Sequence, residues 1–145
     1  MATFTRELTQ SFELDPARDI RNVHGAPGWI ELSTPDPASA RGFVEAVFGW
    51  TTQTMPIAGA DYTLVEAGGH SVGGIREPQP GEGPGPQWGT YVTVEDVDET
   101  AGRVEQAGGT VIVPPTELPD VGRMVGFEHP AAGRMLAFEY LQPFS

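Results

Sequence analysis

Few residues in this chain carry obvious chemistry, and the most informative is a carboxylate. Glu31 sits in WIELST, where Trp29, Glu31 and Ser33 alternate with Ile30, Leu32 and Thr34 as the two faces of a strand do. A carboxylate beside an aromatic residue on an inward strand face can act as a general base of raised pKa, or accept a hydrogen bond from a polar ligand. The same group can close a sheet by pairing with an arginine, and Arg123 and Arg134 stand in alternating runs suited to that. Both readings remain open from the residues alone. The three histidines are His24 before the first strand, His70 in a GGHS turn and His129 in an EHPAAG turn, positions that favour solvated imidazoles over ligands. Cysteine is absent, which removes disulfides, thiolate metal sites and thiol nucleophiles. GxSxG, HExxH and GK[ST] patterns are also missing, so the common hydrolase, zincin and nucleotide-hydrolase signatures drop out.

The elements that must position these groups follow from a chain of 145 residues, the length of one ordinary domain. Eight arginines and no lysine stand against 20 acidic residues, and 8 − 20 = −12 leaves none of the basic footprint that nucleic acid or anionic lipid demands. Nineteen glycines and 14 prolines call for many turns and exclude long helical bundles. The opening stretch MATFTRELTQSFELDPARDIRN has no apolar run flanked by positive charge, so no signal peptide or membrane span is expected and cytoplasmic residence is the default. Phe4, Leu8, Phe12 and Leu14 give residues 1–26 the look of a loosely amphipathic arm, packed on the domain or a second subunit, or frayed.

A weak internal repeat organises the rest. Setting Asp36 against Asp96, a shift of 60, aligns WIELSTPDPASARGFVEAVFGW (29–50) with GTYVTVEDVDETAGRVEQAGGT (89–110). Each copy runs from an alternating strand to an aspartate, then to a helix, then to a glycine. Asp36 is placed to cap a helix with Pro37 at its first position. Ala40, Phe43, Val44, Val47 and Phe48 make the apolar stripe of that helix, and Gly49 is placed to end it. In the second copy Val92 and Val94 face the core, Asp96 with Glu99 makes a start like a capping box, and Val97, Ala101, Val104 and Ala107 form a thinner stripe. Strand-like runs follow: YTLVEA (62–67) and SVGGI (71–75), then TVIVPP (110–115), RMVGFE (123–128) and RMLAFEYL (134–141). EPQPGEGPGPQ (77–87) reads as a linker, and Pro84 and Pro86 lack the N–H donors a phosphate cradle would need.

The stretches PGWIELSTPDPASARGFVEAVFGW, VGGI, GTYVTVEDVDETAGRVEQAGGTVIVPP and VGRMVGFEHPAAGRMLAFEYLQP, over about residues 27–143, resemble the vicinal oxygen chelate superfamily of glyoxalase I, bleomycin-resistance proteins and extradiol dioxygenases. The resemblance implies an α+β fold of two tandem βαβββ modules, 27–76 and 88–143, forming a curled mixed sheet around a cavity with the helices outside. It also implies a homodimer, which would cover the open sheet edges. In metal-dependent members the ligands come from the first and last strands of each module. Those slots fall here on Trp29 and Gly89, on Gly74 or Ile75, and on Glu139, of which only Glu139 can ligate through its side chain. The expectation is therefore a pocket with no cofactor, a divalent metal held by Glu139 with Glu31 being the alternative.

Trp29, Trp88 and Tyr91 are the aromatic residues placed to face such a cavity, with Met124 and Met135 as adaptable walls. Trp50 is placed beneath the first helix or at a subunit contact. The favoured function is binding of a planar or aromatic organic molecule. The alternative is a lyase, isomerase or oxygenase using a divalent metal, or Glu31 and Glu139 as acid and base. The acidic balance favours a neutral or cationic ligand and no nucleic-acid or membrane partner.

Overall fold

A computed structural model describes residues 22–57 and 59–141. Phe4, Leu8, Phe12 and Leu14 of the expected arm lie outside the described residues.

The first half runs β1 (Pro27–Ser33), α1 (Pro37–Phe48), β2 (Thr51–Ile57), β3 (Ala60–Ala67) and β4 (His70–Arg76). The second repeats it as β5 (Gln87–Thr93), α2 (Val97–Gln106), β6 (Thr110–Leu118), β7 (Gly122–His129) and β8 (Gly133–Tyr140). All eight strands form one sheet in the order β2-β3-β4-β1-β5-β8-β7-β6. Within each half the first and last strands pair in parallel, β1 with β4 and β5 with β8, and the halves join through the antiparallel pair β1–β5. This is the α+β architecture of two βαβββ modules that the resemblance implies, with the element order read from the repeat.

Local chemistry sets both helices. Asp36 accepts from the Ser39 amide at 3.1 Å and the Ser39 hydroxyl at 2.7 Å, Pro37 opens α1, and Gly49 ends it at φ 68°. Asp96 accepts from the amides of Asp98 and Glu99 at 2.9 and 3.1 Å, while Glu99 pairs with Arg103 one turn on. The two helices then bury unequal stripes. Val97 is fully buried against Val94, Val125 and Ala137. In α1 only Val44 is buried, packed with Leu32, Val65 and Ile75. Phe43 and Phe48 of the expected stripe are 64% and 59% exposed. Trp50 does lie beneath α1, against that same Val44 cluster.

The sequence pattern did not single out β2. TTQTMPI is polar and carries Pro56, a combination that suits a sheet edge and hides a strand. The other edge, β6, carries Pro114 and Pro115 where its register with β7 shifts. Among the described residues no helix is long and apolar enough to cross a membrane.

Candidate ligand site

The candidate site grows from the pairing of β1 with its two neighbours. Glu31 lies opposite Gly89 of β5 and beside Gly74 of β4, so neither flanking residue carries a side chain to crowd the carboxylate. A Cβ at Gly74 would collide with the Tyr62 ring, and the glycine thus opens the path by which that phenol reaches Glu31.

Three donors converge on the buried Glu31. Tyr62 donates to Oε2 at 2.7 Å, while Arg76 Nε and the Tyr91 hydroxyl donate to Oε1 at 2.6 and 2.9 Å. Trp29 Nε1 donates to the Tyr62 oxygen at 3.0 Å, extending the chain. Arg76 turns its other edge to Glu82, with Nη1–Oε1 at 2.5 Å and Nη2–Oε2 at 3.0 Å. Arg76 and Glu82 side chains are each only 13% exposed. Burial, and then the Glu31 carboxylate, push the Tyr62 and Tyr91 phenols far above their ordinary value, so both are donors at any physiological pH. For Arg76, burial opposes the charge, but bonds to Glu82 and Glu31 outweigh it and raise its pKa. Burial likewise works against Glu82, yet its bonds to Arg76 and the Gln79 amide hold its carboxyl below the usual range.

The network separates two concavities on the cupped face. The larger, of about 280 Å³, is walled by Trp29, Tyr62, Leu64, Tyr91, Phe138 and Tyr140 and has Glu31 on its floor. The smaller, of about 30 Å³, sets the charged groups of Glu31, Arg76, Glu82 and Arg134 and the Ser33 hydroxyl against apolar side chains such as Met124, Met135 and Leu136.

The structure brings Trp29, Glu31 and Tyr91 together in the larger cavity. Trp88, Met124 and Met135 lie around the smaller concavity instead. Trp88 is half exposed and meets Trp50 edge-on at 6.5 Å. Glu139 corrects the expectation that it shares a cavity with Glu31. Phe138 and Tyr140 take the cavity-facing positions of β8, which turns Glu139 to the other face, where Oε1 accepts from the Val97 amide at the start of α2 at 3.0 Å. The arginine pairing of Glu31 is real, but its partner is Arg76. Arg123 sits beside Glu139 in register and bonds Asp98 at 2.6 Å, and Arg134 bonds Gln87 at 3.1 Å. Tyr62, Arg76 and Glu82 are the site residues the sequence pattern missed; the Gly73-Gly74 pair ahead of Arg76 was the available sign of a close approach.

The donor set does not fit a divalent metal. Trp29 offers an indole, Gly89 and Gly74 no side chain, Ile75 is buried in the opposite core, and Glu139 caps a helix. Glu31 is the single carboxylate among the described residues that line the cavity, and no histidine stands there with it. Among the described residues no three His, Asp or Glu side chains cluster to hold an ion. His24 accepts from the distant Glu95 amide at 3.1 Å, His129 accepts from the Ala131 amide in its own turn at 3.0 Å, and His70 is exposed on β4.

Comparison with known proteins places this geometry. The structure is similar to methylmalonyl-CoA epimerase from Mycobacterium tuberculosis, with TM-score 0.60 and 14% identity over 92% of this chain and 96% of that one, a likeness of fold. In sequence the chain is 36% identical over 104 residues to the "Putative glyoxylase CFP32" of Mycobacterium tuberculosis, covering 69% of this chain and 40% of the relative. It is 35% identical over 125 residues to the "Anthracycline biosynthesis protein DnrV" of Streptomyces peucetius, covering 77% of this chain and 46% of the relative. The chain thus spans less than half the length of those relatives. The profile of the Glyoxalase/Bleomycin resistance protein/Dioxygenase superfamily matches residues 26–137, and with the duplicated βαβββ frame described above it establishes that this chain belongs to that superfamily.

Proposed function

We propose that the chain binds a planar or aromatic organic molecule in the larger cavity, without a metal. The observation that carries this reading is the composition of the wall: Trp29, Tyr62, Tyr91, Phe138 and Tyr140 surround about 280 Å³, with one carboxylate as the polar anchor. A carboxylate has about four acceptor positions and Glu31 fills three, so one position on Oε2 is left for a donor on the ligand. Arg76, Tyr91 and Tyr62 hold the carboxylate still, which removes the ordering penalty from the binding step. The similarity to an anthracycline biosynthesis protein is consistent with a polycyclic ligand bearing hydroxyl groups.

Glu31 and Glu139 cannot act together on one ligand as acid and base, because the two carboxylates face opposite sides of the sheet. The test is a pair of probes titrated by tryptophan fluorescence. 2-Naphthol offers a ring system and one O–H donor; 2-methoxynaphthalene keeps the rings and loses the donor. The expected result is quenching by both, with the methyl ether binding about tenfold more weakly, and loss of binding in Trp29→Ala. Equal affinities for the two probes would remove Glu31 from the reading, and no binding of either would overturn it.

A further inference from the structure

The smaller concavity carries a second inference, independent of what fills the larger cavity. We propose that it is a subsite for the carboxylate of a small organic acid, and that Glu82 occupies it from within the chain.

The first observation is the form of the Arg76–Glu82 contact. Both terminal nitrogens of the guanidinium meet both oxygens of the carboxylate, the planar two-point grip that arginine uses to recognise carboxylates. Glu82 brings this carboxylate in on a connection rather than a strand. Residues 77–86 contain four prolines and three glycines, and Glu82 is tied there by its bonds to Gln79 and Arg76. No strand pairing is broken if it withdraws.

The second observation is Ser33. Its hydroxyl is buried and has no hydrogen-bond partner among the described residues. Ser33 lies in register with Arg76 on one side and Gln87 on the other, and it lines the concavity beside the guanidinium. Thr93, the equivalent position of the second half, also has an unpartnered hydroxyl, yet it lines neither concavity. The serine is therefore a donor available to an anion gripped by Arg76.

Charge and volume agree. The charged residues lining the concavity are Glu31, Glu82, Arg76 and Arg134, which sum to zero. With Glu82 withdrawn the same lining carries one positive charge, which a monoanion neutralises. The space beside Glu82 is small, about 30 Å³, and a ligand carboxylate takes the two-point grip of Arg76 by exchange with Glu82.

Acetate is the probe, with acetamide as its neutral analogue. In E82A the melting temperature should rise with acetate and not with acetamide, with an affinity roughly tenfold above that of the unsubstituted chain. Adding Ser33→Ala to E82A should weaken acetate about threefold to tenfold. The Nε–H resonance of Arg76 should move on titration, a readout that a merely structural role for Glu82 would leave still. If E82A does not fold, E82Q keeps the shape, removes the competing charge and is read in the same way. Equal acetate affinity with and without Glu82 would overturn the proposal. So would acetamide binding as well as acetate, or a gain in acetate binding that leaves the Arg76 resonance unmoved.

Discussion

The two halves share one frame and furnish it with opposite chemistry. Under the shift of 60, Glu31 corresponds to Tyr91 and Ser33 to Thr93. At the ends of the matching parallel pairs, Ser33 stands beside Arg76 and Thr93 beside Phe138. The first half thus supplies an ion pair where the second supplies aromatic rings. At Glu31 the two chemistries touch through the hydrogen bond that Tyr91 donates. Equivalent positions point the same way in both halves, and the residue type at each decides its chemistry. The buried charges of the first half are satisfied by phenols from both halves, Tyr62 from its own β3 and Tyr91 from β5.

Removing the charge should be the largest perturbation. Glu31→Ala leaves a buried arginine with one carboxylate fewer and two phenols without their acceptor, and it should cost about 3–5 kcal/mol in urea unfolding. Tyr91→Phe removes only the hydrogen bond that the second half's phenol donates to Glu31 and should cost about 2 kcal/mol, as hydrogen bonds to charged groups do. Phe138→Leu, confined to the aromatic half and apolar throughout, should cost about 1 kcal/mol. If Phe138→Leu proved as damaging as Glu31→Ala, the contrast between a polar and an apolar half would fail.

Two pH measurements sharpen the same contrast with smaller effects. Tyr62 and Tyr91 are raised by burial and by Glu31, so the protonated phenols add stability that is present below the ordinary tyrosine value and lost as pH rises through the folded one. Of the three tyrosines, these two should resist ionisation in an alkaline ultraviolet titration until the chain unfolds, and Glu31→Gln should let them ionise earlier. Glu82 has the opposite sign. Its folded value is held down by Arg76, so its contribution is present above the ordinary glutamate value and lost as pH falls through the folded one. Glu82→Gln should flatten the acid side of the melting curve, and an unchanged acid side would contradict the latch to Arg76.

Much of this frame was legible in the residues. Asp36, Pro37, Gly49 and Asp96 announce both helices because capping chemistry is local, and the repeat announces the element order. What depends on pairing across the sheet was not. The resemblance puts Glu139 in the cavity, but strand parity reverses with one residue of register, and Phe138 and Tyr140 hold the inward positions. Arg76 follows a glycine pair and becomes the partner of Glu31 only when β4 closes against β1 in parallel, a contact 45 residues apart in sequence. Glu82 was hidden in a stretch whose prolines and glycines say only that no helix or ladder forms there. Trp29, Glu31 and Tyr91, on first strands whose alternation is clear, are where sequence and structure agree.

Metal-free binding in this pocket, through rings and one fixed carboxylate, is the proposal most open to direct test. The most direct test measures 2-naphthol affinity before and after exhaustive chelation, with elemental analysis of the same samples and with Ni, Zn, Mn or Fe(II) added back. The account predicts substoichiometric metal and an affinity that changes by less than about twofold throughout. One metal per chain, with binding lost on chelation and restored on return of the ion, would contradict it.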